Sequence, residues 1–324
     1  MEFAIGVDLG GTHVTAATVD ARGRVRRRFK DALRSHSPAH VVAKIAALVR
    51  KAEAALPAQR VAAVGLGSPG NIDERNGSVR FSPNFGWHDV PLRALLEKKM
   101  QRRLYILNDA RCATLGEYLH GSGRGCREFA LITIGTGIGG GLVCGGRLVL
   151  GAYMGAGEVG HHTIRPETGF VCSCGKTGCF EVQASAAGLI RHVLALAPSF
   201  PQSRLLASQP SESWGSDMIV AAVQDGDMHA AAAWKNYLAD LAIGVSNIIS
   251  FTNPQAIALG GGGAQVPAAI LSEPLTALVD ERTTMAPKGK TRIVTAQLGN
   301  DAGAVGAAAL ARMGGVQALI TTQR

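Results

Sequence analysis

The sequence predicts an α/β fold built twice, as two lobes around a cleft. Two observations carry this. Residues 3–9, 13–19 and 24–30 read as three short strands, joined by a glycine turn at Gly10-Gly11 and a second turn at 20–23. Residues 129–134 then open the same theme again, running through the glycine-rich 135–141 into a strand from Leu142, a turn at Gly145-Gly146 and a third strand at Leu148. After each meander, helices alternate with short strands, the pattern of α/β proteins.

In the first half, residues 38–56 are helical, with Val41, Ile45, Leu48 and Val49 on one face. A buried strand at 61–66 ends in Gly67-Ser68-Pro69-Gly70, 92–100 is helical, and a strand at 104–107 ends at Asn108-Asp109 before a helix at 110–119. The second half supplies helices at 184–196, 217–224 and 230–251, a strand at 256–259, the turn Gly260–Gly263 and a helix from Pro267. A strand at 291–296 and a helix at 302–313 close the pattern. The expected division is a small lobe of 1–108 with about 302–324, and a large lobe of 109–301.

The chain of 324 residues is 47% hydrophobic and 18% charged, enough apolar surface for a sizeable core and too little charge for general disorder. Its net charge of +9 permits an anionic partner without naming one. Six basic residues fall between Arg22 and Lys30, which is read as a solvated hairpin. The first nine residues carry Glu2 and Asp8, unlike a secretory signal, and the charge-free stretches 129–146 and 241–272 are broken by glycine, asparagine and proline. A soluble, cytoplasmic protein without membrane contact is expected.

Five motifs bear chemistry. In Asp8-Leu9-Gly10-Gly11-Thr12, bare backbone at a strand end admits a phosphate, Thr12 offers a hydroxyl and Asp8 a carboxylate near Mg2+. Gly135-Thr136-Gly137 opens a second loop of the same kind. It lacks the Lys-Ser/Thr of a P-loop and leads into a strand, unlike a dinucleotide fingerprint. Gly260–Gly263 would let a flat ring lie on the backbone, or an anion sit at a helix start. Asn108-Asp109 offers a carboxylate that could serve as a base or merely cap a helix. Finally, Cys172, Cys174 and Cys179 with His161 or His162 make a Cys3His set, a closed tetrahedral shell for structural zinc with no position left for water.

The three glycine loops, in this order on duplicated halves, resemble the actin-like ATPase fold shared by sugar kinases and heat-shock ATPases, which implies bound ATP. More closely, the chain resembles the ROK family (repressors, open reading frames and kinases), in its bacterial glucokinase branch. The resemblance rests on Asp8–Thr12, Gly67–Gly70, Ser82–Trp87, Asn108-Asp109-Ala110, Ile134–Gly141 and Gly155–His161, followed by Cys172-x-Cys174-Gly175-x-x-Gly178-Cys179-x-Glu181, Gly260–Gly263 and Asp301-Ala302-Gly303. It implies ATP-dependent phosphorylation of a hexose, glucose first, at its 6-hydroxyl, with Asp109 as the base. It implies that Gly67, Asn84, Asn108, Gly137, Glu158, His161 and Glu181 bind the sugar. ATP and its phosphates would lie on Asp8, Gly10, Gly11, Thr12, Gly135, Thr136, Gly137, Gly261 and Gly262. It selects His161 over His162 as zinc ligand, one ring nitrogen on the metal and the other toward sugar. A homo-dimer or tetramer is implied as well.

Alternatives within the family are kinases of N-acetylmannosamine, fructose or allose. The segment Pro83–Trp87 favours glucose. The family's repressors carry an added N-terminal winged helix-turn-helix, for which a phosphate loop starting at Asp8 is expected to leave no room, so nucleic acid is not an expected partner. A non-catalytic sugar sensor is the remaining alternative, and the intact Asp8, Asp109 and glycine loops speak against it.

Overall fold

In the computed structural model, which describes residues 3–56, 61–208 and 214–316, the elements follow in order. They begin β1 (Phe3–Leu9), β2 (His13–Asp20), β3 (Val25–Ala32), α1 (Pro38–Ala54), β4 (Val61–Ser68), β5 (Asn71–Asp73), β6 (Ser78–Ser82), β7 (Trp87–Val90), α2 (Leu92–Met100), β8 (Leu104–Asn108) and α3 (Asp109–His120). Then come β9 (Phe129–Ile134), β10 (Ile138–Cys144), β11 (Arg147–Leu148), α4 (Phe180–Ala184), α5 (Ala186–Leu196), α6 (Arg204–Ser208), α7 (Ser216–Gln224) and α8 (Met228–Thr252). The chain ends with β12 (Ala256–Gly260), α9 (Ser272–Arg282), β13 (Arg292–Thr295) and α10 (Ala302–Arg312).

The duplication is explicit in the sheets. One runs β3-β2-β1-β4-β8 and the other β11-β10-β9-β12-β13, the same order of a reversed meander followed by two later strands. Two compact units are distinguished. One holds the described residues of 1–130, 141–157 and 296–324, the other those of 131–140 and 158–295.

In the first unit, β1 pairs antiparallel with β2 and parallel with β4, which in turn pairs parallel with β8. The run Arg22–Lys30 is the hairpin that leads into β3, an edge strand whose arginines face solvent, and such charge discourages edge-to-edge pairing. Helix α1 starts where Ser37 caps the His40 N–H and Pro38 takes the first turn. Its Val41, Ile45, Leu48 and Val49 pack with Ile5, Val7 and Leu9 of β1. On the opposite face, Ala304, Val305 and Ala308 of α10 pack with Ala4, Ala17 and Val19. Covered on both sides, β1 and β4 are near-continuous apolar runs instead of alternating ones.

Several elements depart from the pattern-based expectation. The glycine run is not all turn: β10 starts at Ile138, and its Gly140 and Gly141 are strand positions where side chains would collide with Leu131, Val159 and Thr114. The helix expected over 184–196 starts two residues later as α5, because Ser185 adopts extended backbone and its side chain caps α5 through the Gly188 N–H, and a separate short helix, α4, precedes it. The helix expected from Pro267 begins at Ser272. Residues 71–90 form a small antiparallel sheet, β5-β6-β7, that periodicity did not indicate, because its strands are only three to five residues long.

Close backbone approach sets the seat of α10. A Cβ on Gly6 would overlap the Ala304 carbonyl, one on Gly65 the Ala307 carbonyl, and one on Gly306 the Cys112 carbonyl. We expect Gly65→Ala to destabilise the protein by about 2 kcal/mol or more, as overpacking against backbone does. Urea unfolding should show a lowered midpoint, whereas Gly155→Ala, in open space and at a backbone conformation any residue adopts, should cost less than about 1 kcal/mol.

Candidate active site

Three adjacent parallel strands end together in the first unit. Asp8 of β1 lies opposite Gly67 of β4, and Ser68 of β4 opposite Asn108 of β8. Sequence segments far apart thus reach one sheet edge, the carboxyl end at which α/β sheets bind ligands. Asp109 is the first residue of α3, half-buried, with Oδ1 accepting the Ala110 N–H at 2.9 Å. Asn108 caps that helix: its Oδ1 accepts the Arg111 N–H at 3.1 Å and its Nδ2 donates to the Gly70 carbonyl at 3.1 Å. Gly67 lets α3 start close to β4, since a Cβ there would lie 3.3 Å from Asp109 Cα and from Cys112 Sγ.

The Gly10–Thr12 turn and the Asn84 turn are tied through a residue the sequence reading did not single out. His36 Nε2 donates to the Gly11 carbonyl at 2.7 Å, and the Trp87 indole N–H donates to the His36 carbonyl at 2.6 Å. Between them the His36 and Trp87 rings flank buried Phe85, at 4.5 and 4.8 Å. Asn84 is held exposed on the short turn Pro83–Phe85, closed by left-handed Gly86. Gly10 gives its own N–H to the His13 carbonyl at 2.9 Å.

Burial pushes the Asp8 carboxyl up to about 7, and the Asp109 carboxylate pushes it the same way. The first turn of α10 presses on Asp8, whose Cγ would lie 2.7 Å from a Cβ on Gly303. Two carboxylates sharing one enclosed corner form an oxygen donor set that suits a divalent cation such as Mg2+.

In the second unit, Gly135 donates to the Gly137 carbonyl at 2.9 Å and its own carbonyl accepts the Ala186 N–H at 2.9 Å. Gly261, with φ of +81°, lies against the Ile134 carbonyl, and a Cβ on Gly263 would be 2.7 Å from Ile134 Cγ2. Gly261 and Gly263 therefore lie against Ile134 at the end of β9, the residue before the Gly135–Gly137 loop, in which Thr136 is exposed. No α-helix starts directly after Gly260–Gly263. A single 3-10 turn, Gly262–Ala264, follows, so the anion-at-helix-start reading of this loop loses its basis.

Glu181, on the first turn of α4, joins this loop to the cysteines. Its Oε2 accepts the Ile138 N–H at 3.1 Å beside Gly137, and its Oε1 lies 3.9 Å from Cys172 Sγ. His161 Nδ1, Cys172, Cys174 and Cys179 then close a cluster in which all ligand atoms lie within 4.8 Å of one another. Two of its edges, 3.9 Å from Cys172 Sγ to His161 Nδ1 and 3.5 Å from Cys174 Sγ to Cys179 Sγ, are close to the roughly 3.6–3.8 Å edges of a tetrahedral zinc shell. The residues present fit zinc. His162 stands outside: its Nδ1 donates to the Val159 carbonyl at 2.5 Å and its ring packs on Phe180. The turn is shaped by Gly175 and Gly178, both left-handed, and by the Cys172 N–H bond to the Lys176 carbonyl at 2.8 Å.

The thiols compete for charge. Burial raises Cys179, and its neighbours Cys174 and Cys172 raise it further, to about 12. For Cys174, burial also pushes upward, but the Lys176 N–H, the Cys172 and Cys179 thiols and His161 overcome it and bring it down to about 7. Glu158 is exposed, one turn ahead of His161, whose N–H donates to the Glu158 carbonyl at 3.1 Å.

The ROK family model matches residues 4–313. The chain belongs to the ROK family. It is 35% identical to the glucokinase of Thermotoga maritima over 317 residues, 96% of this chain and 98% of that one. A solved ROK glucokinase from Streptomyces griseus, in complex with glucose and AMPPNP, matches with a TM-score of 0.83 at 33% identity, covering 96% of this chain and 99% of the other. A ROK hexokinase from Thermus thermophilus matches with a TM-score of 0.81 at 30% identity, over 96% and 98% of the two chains. The fold is thus that of the ROK sugar kinases, with the duplicated actin-like plan.

Besides His36, two features of this ROK chain have little or no signature in the sequence. Gly303 was recognised only as part of a motif, without its role beneath Asp8. The buried pair Arg111–Glu74 had no signal at all, because 37 residues separate the partners and Asp73-Glu74-Arg75 reads as a polar turn. Among the described residues, no helix is long and apolar enough to cross a membrane.

The raised Asp8 carboxyl makes a pH-dependent prediction. The folded protein holds this proton more tightly than the unfolded chain does. The resulting stability is complete below about pH 4, the ordinary carboxyl value, and is lost as pH rises to about 7. Asp8→Asn removes that slope. In ligand-free, Mg2+-free buffer its melting temperature should gain on wild type between pH 5 and pH 8, and parallel curves would remove Asp8 as the titrating group.

Proposed function

We propose that this chain is an ATP-dependent hexokinase that phosphorylates glucose at the 6-hydroxyl, with Asp109 as the general base. The observation that carries the reading is the sheet edge where β1, β4 and β8 deliver Asp8, Gly67 and Asp109 together. That edge offers one carboxylate for the phosphate side and one for the hydroxyl. The glucokinases and the hexokinase to which the chain is similar support the same activity.

In this reading Asp109 accepts the proton of the 6-hydroxyl as its oxygen bonds to the γ-phosphorus and the bond to the ADP oxygen breaks. The Ala110 N–H and the Asn108 cap hold the carboxylate and its helix start in place, so little reorganisation is needed at the moment of transfer. With the Gly10 N–H already spent on His13, phosphate contacts in the first loop fall to Gly11 and Thr12, and in the second to Thr136 and Gly137. Gly261 and Gly262 take the adenine side. Asp8 would hold Mg2+, whose chemistry is neutralisation of phosphate charge.

Asn84, Asn108, Glu158, His161 and Glu181 bind sugar hydroxyls, with Gly67 and Gly137 giving room beside them. His161 Nδ1, Cys172, Cys174 and Cys179 would hold Zn2+, a structural ion that fixes the His161 tautomer and leaves its Nε2 for sugar. A cytoplasmic dimer or tetramer completes the reading, checked by light scattering.

The test is ADP release from Mg·ATP with glucose, fructose, mannose, allose, N-acetylglucosamine and N-acetylmannosamine. Turnover highest on glucose is expected. Preference for an N-acetyl sugar would replace the substrate, and silence with every sugar would overturn the kinase reading. Asp109→Ala should cost about 10²- to 10⁴-fold in kcat, the range of general-base catalysis, while calorimetry still detects glucose binding. Cys174→Ala should lose zinc by elemental analysis and also weaken glucose binding, and retained affinity would uncouple the cluster from the sugar site.

A further inference from the structure

Three arginines grip three successive carbonyls. Arg75 Nη2 donates to the Ala152 carbonyl at 3.2 Å, Arg80 Nη1 to the Tyr153 carbonyl at 3.4 Å, and Arg111 Nη1 to the Met154 carbonyl at 2.9 Å. The gripped loop is already closed at its base, where the Ala156 N–H donates to the Leu150 carbonyl at 3.1 Å and Gly151 turns left-handed against Ala156. At its tip Met154 carries a φ of +60°, a conformation few side-chain-bearing residues adopt. Only Gly157 separates this closed loop from Glu158.

The grip is built, not incidental. Arg111 is 2% exposed and shares the same Nη1 with the fully buried Glu74 at 2.7 Å. Burial raises the Glu74 carboxyl, and the Arg111 charge acts against that rise. Arg80 is braced by Asp73 at 2.9 Å, and the Arg75 carbonyl is held by Arg93 at 2.9 Å. Arg111 also stands two residues beyond Asp109 on the same helix. One guanidinium therefore ties the helix carrying the proposed base to the loop that runs into Glu158 and His161.

We propose that Arg75, Arg80 and Arg111 are positioning residues for sugar binding, presetting the loop 150–156 from which Glu158 and His161 follow. The inference rests on the assignment of Glu158 and His161 as sugar binders. Arg75 and Arg80 are the informative targets, since both are exposed and Asp73, the Arg80 partner, keeps its bonds from the Arg75 backbone N–H and the Asn76 side-chain amide. In Arg75→Ala/Arg80→Ala, amide hydrogen exchange of 150–156 should quicken. Glucose affinity, measured by calorimetry without nucleotide, should fall roughly 5- to 20-fold, the loss expected for two hydrogen bonds. The KM for Mg·ATP should stay within about twofold and the double lysine variant should recover most of the affinity, neither of which a general loss of structure would give.

Removal of Arg111 alone would strand Glu74, so the deep contact is tested by Glu74→Met/Arg111→Met, which takes out both charges. That variant should fold and lose kcat as well as glucose affinity. Unchanged glucose affinity in the Arg75/Arg80 double variant overturns the proposal, whatever the exchange rates show, and so does an equal loss toward Mg·ATP. A wild type that binds glucose without turning it over would instead overturn the kinase reading and leave this test intact, whereas one that binds no hexose would overturn both.

Discussion

The structure depends on backbone lying against backbone. Helix α10 is almost all alanine and glycine, and it rests on β1, β4 and α3 at positions where those elements carry Gly6, Gly65 and Gly116. Contact this close leaves no freedom for the sheet to shift beneath the helix. It therefore fixes the register at which β1, β4 and β8 end, and brings Gly303 against the Asp8 carboxylate. The chemistry at that edge is thus secured by residues without functional groups. A side chain at Gly6, Gly65 or Gly116 would come within 2.5 Å of an α10 carbonyl oxygen, so the helix or the element beneath it would have to move.

The same constraint explains why much of the fold was legible. Alternating and apolar runs located β1, β2, β4, β8 and β9 closely, and α2 to the residue, because both faces of the sheet or one face of the helix must be buried. The duplication was visible because each half needs the same turn chemistry at the same place. What periodicity missed has physical reasons. Ser185 breaks a helical run through its side-chain cap, a competition that hydrophobic spacing does not register. Strands β5, β6 and β7 are too short to show a period.

The site was legible where one residue type has few alternative uses. Three cysteines and a histidine at close spacing, or an Asp after a strand beside glycines, say much about their chemistry. The choice between His161 and His162 had no such basis in residue type. It is settled by backbone: the Val159 carbonyl engages His162 Nδ1, while His161 turns Nδ1 to Cys172. His36 and the Glu74–Arg111 pair were illegible for the opposite reason. Their partners are a carbonyl, an indole and a distant charge, none of which leaves a local pattern.

The cysteine cluster shows how charge links these levels. Without a cation, its sulfurs cannot all be thiolates, and the structure divides them into one that loses its proton near neutrality and one that keeps it far above. A divalent ion would remove that conflict by replacing the protons, so metal affinity should be set as much by proton release as by geometry. Glu181 lies beside this charge balance at one oxygen and holds the Ile138 N–H with the other. A change of charge among the sulfurs is therefore felt at the loop beside Gly137. The cluster is then not a remote staple: through Cys172 it lies against both His161 and Glu181.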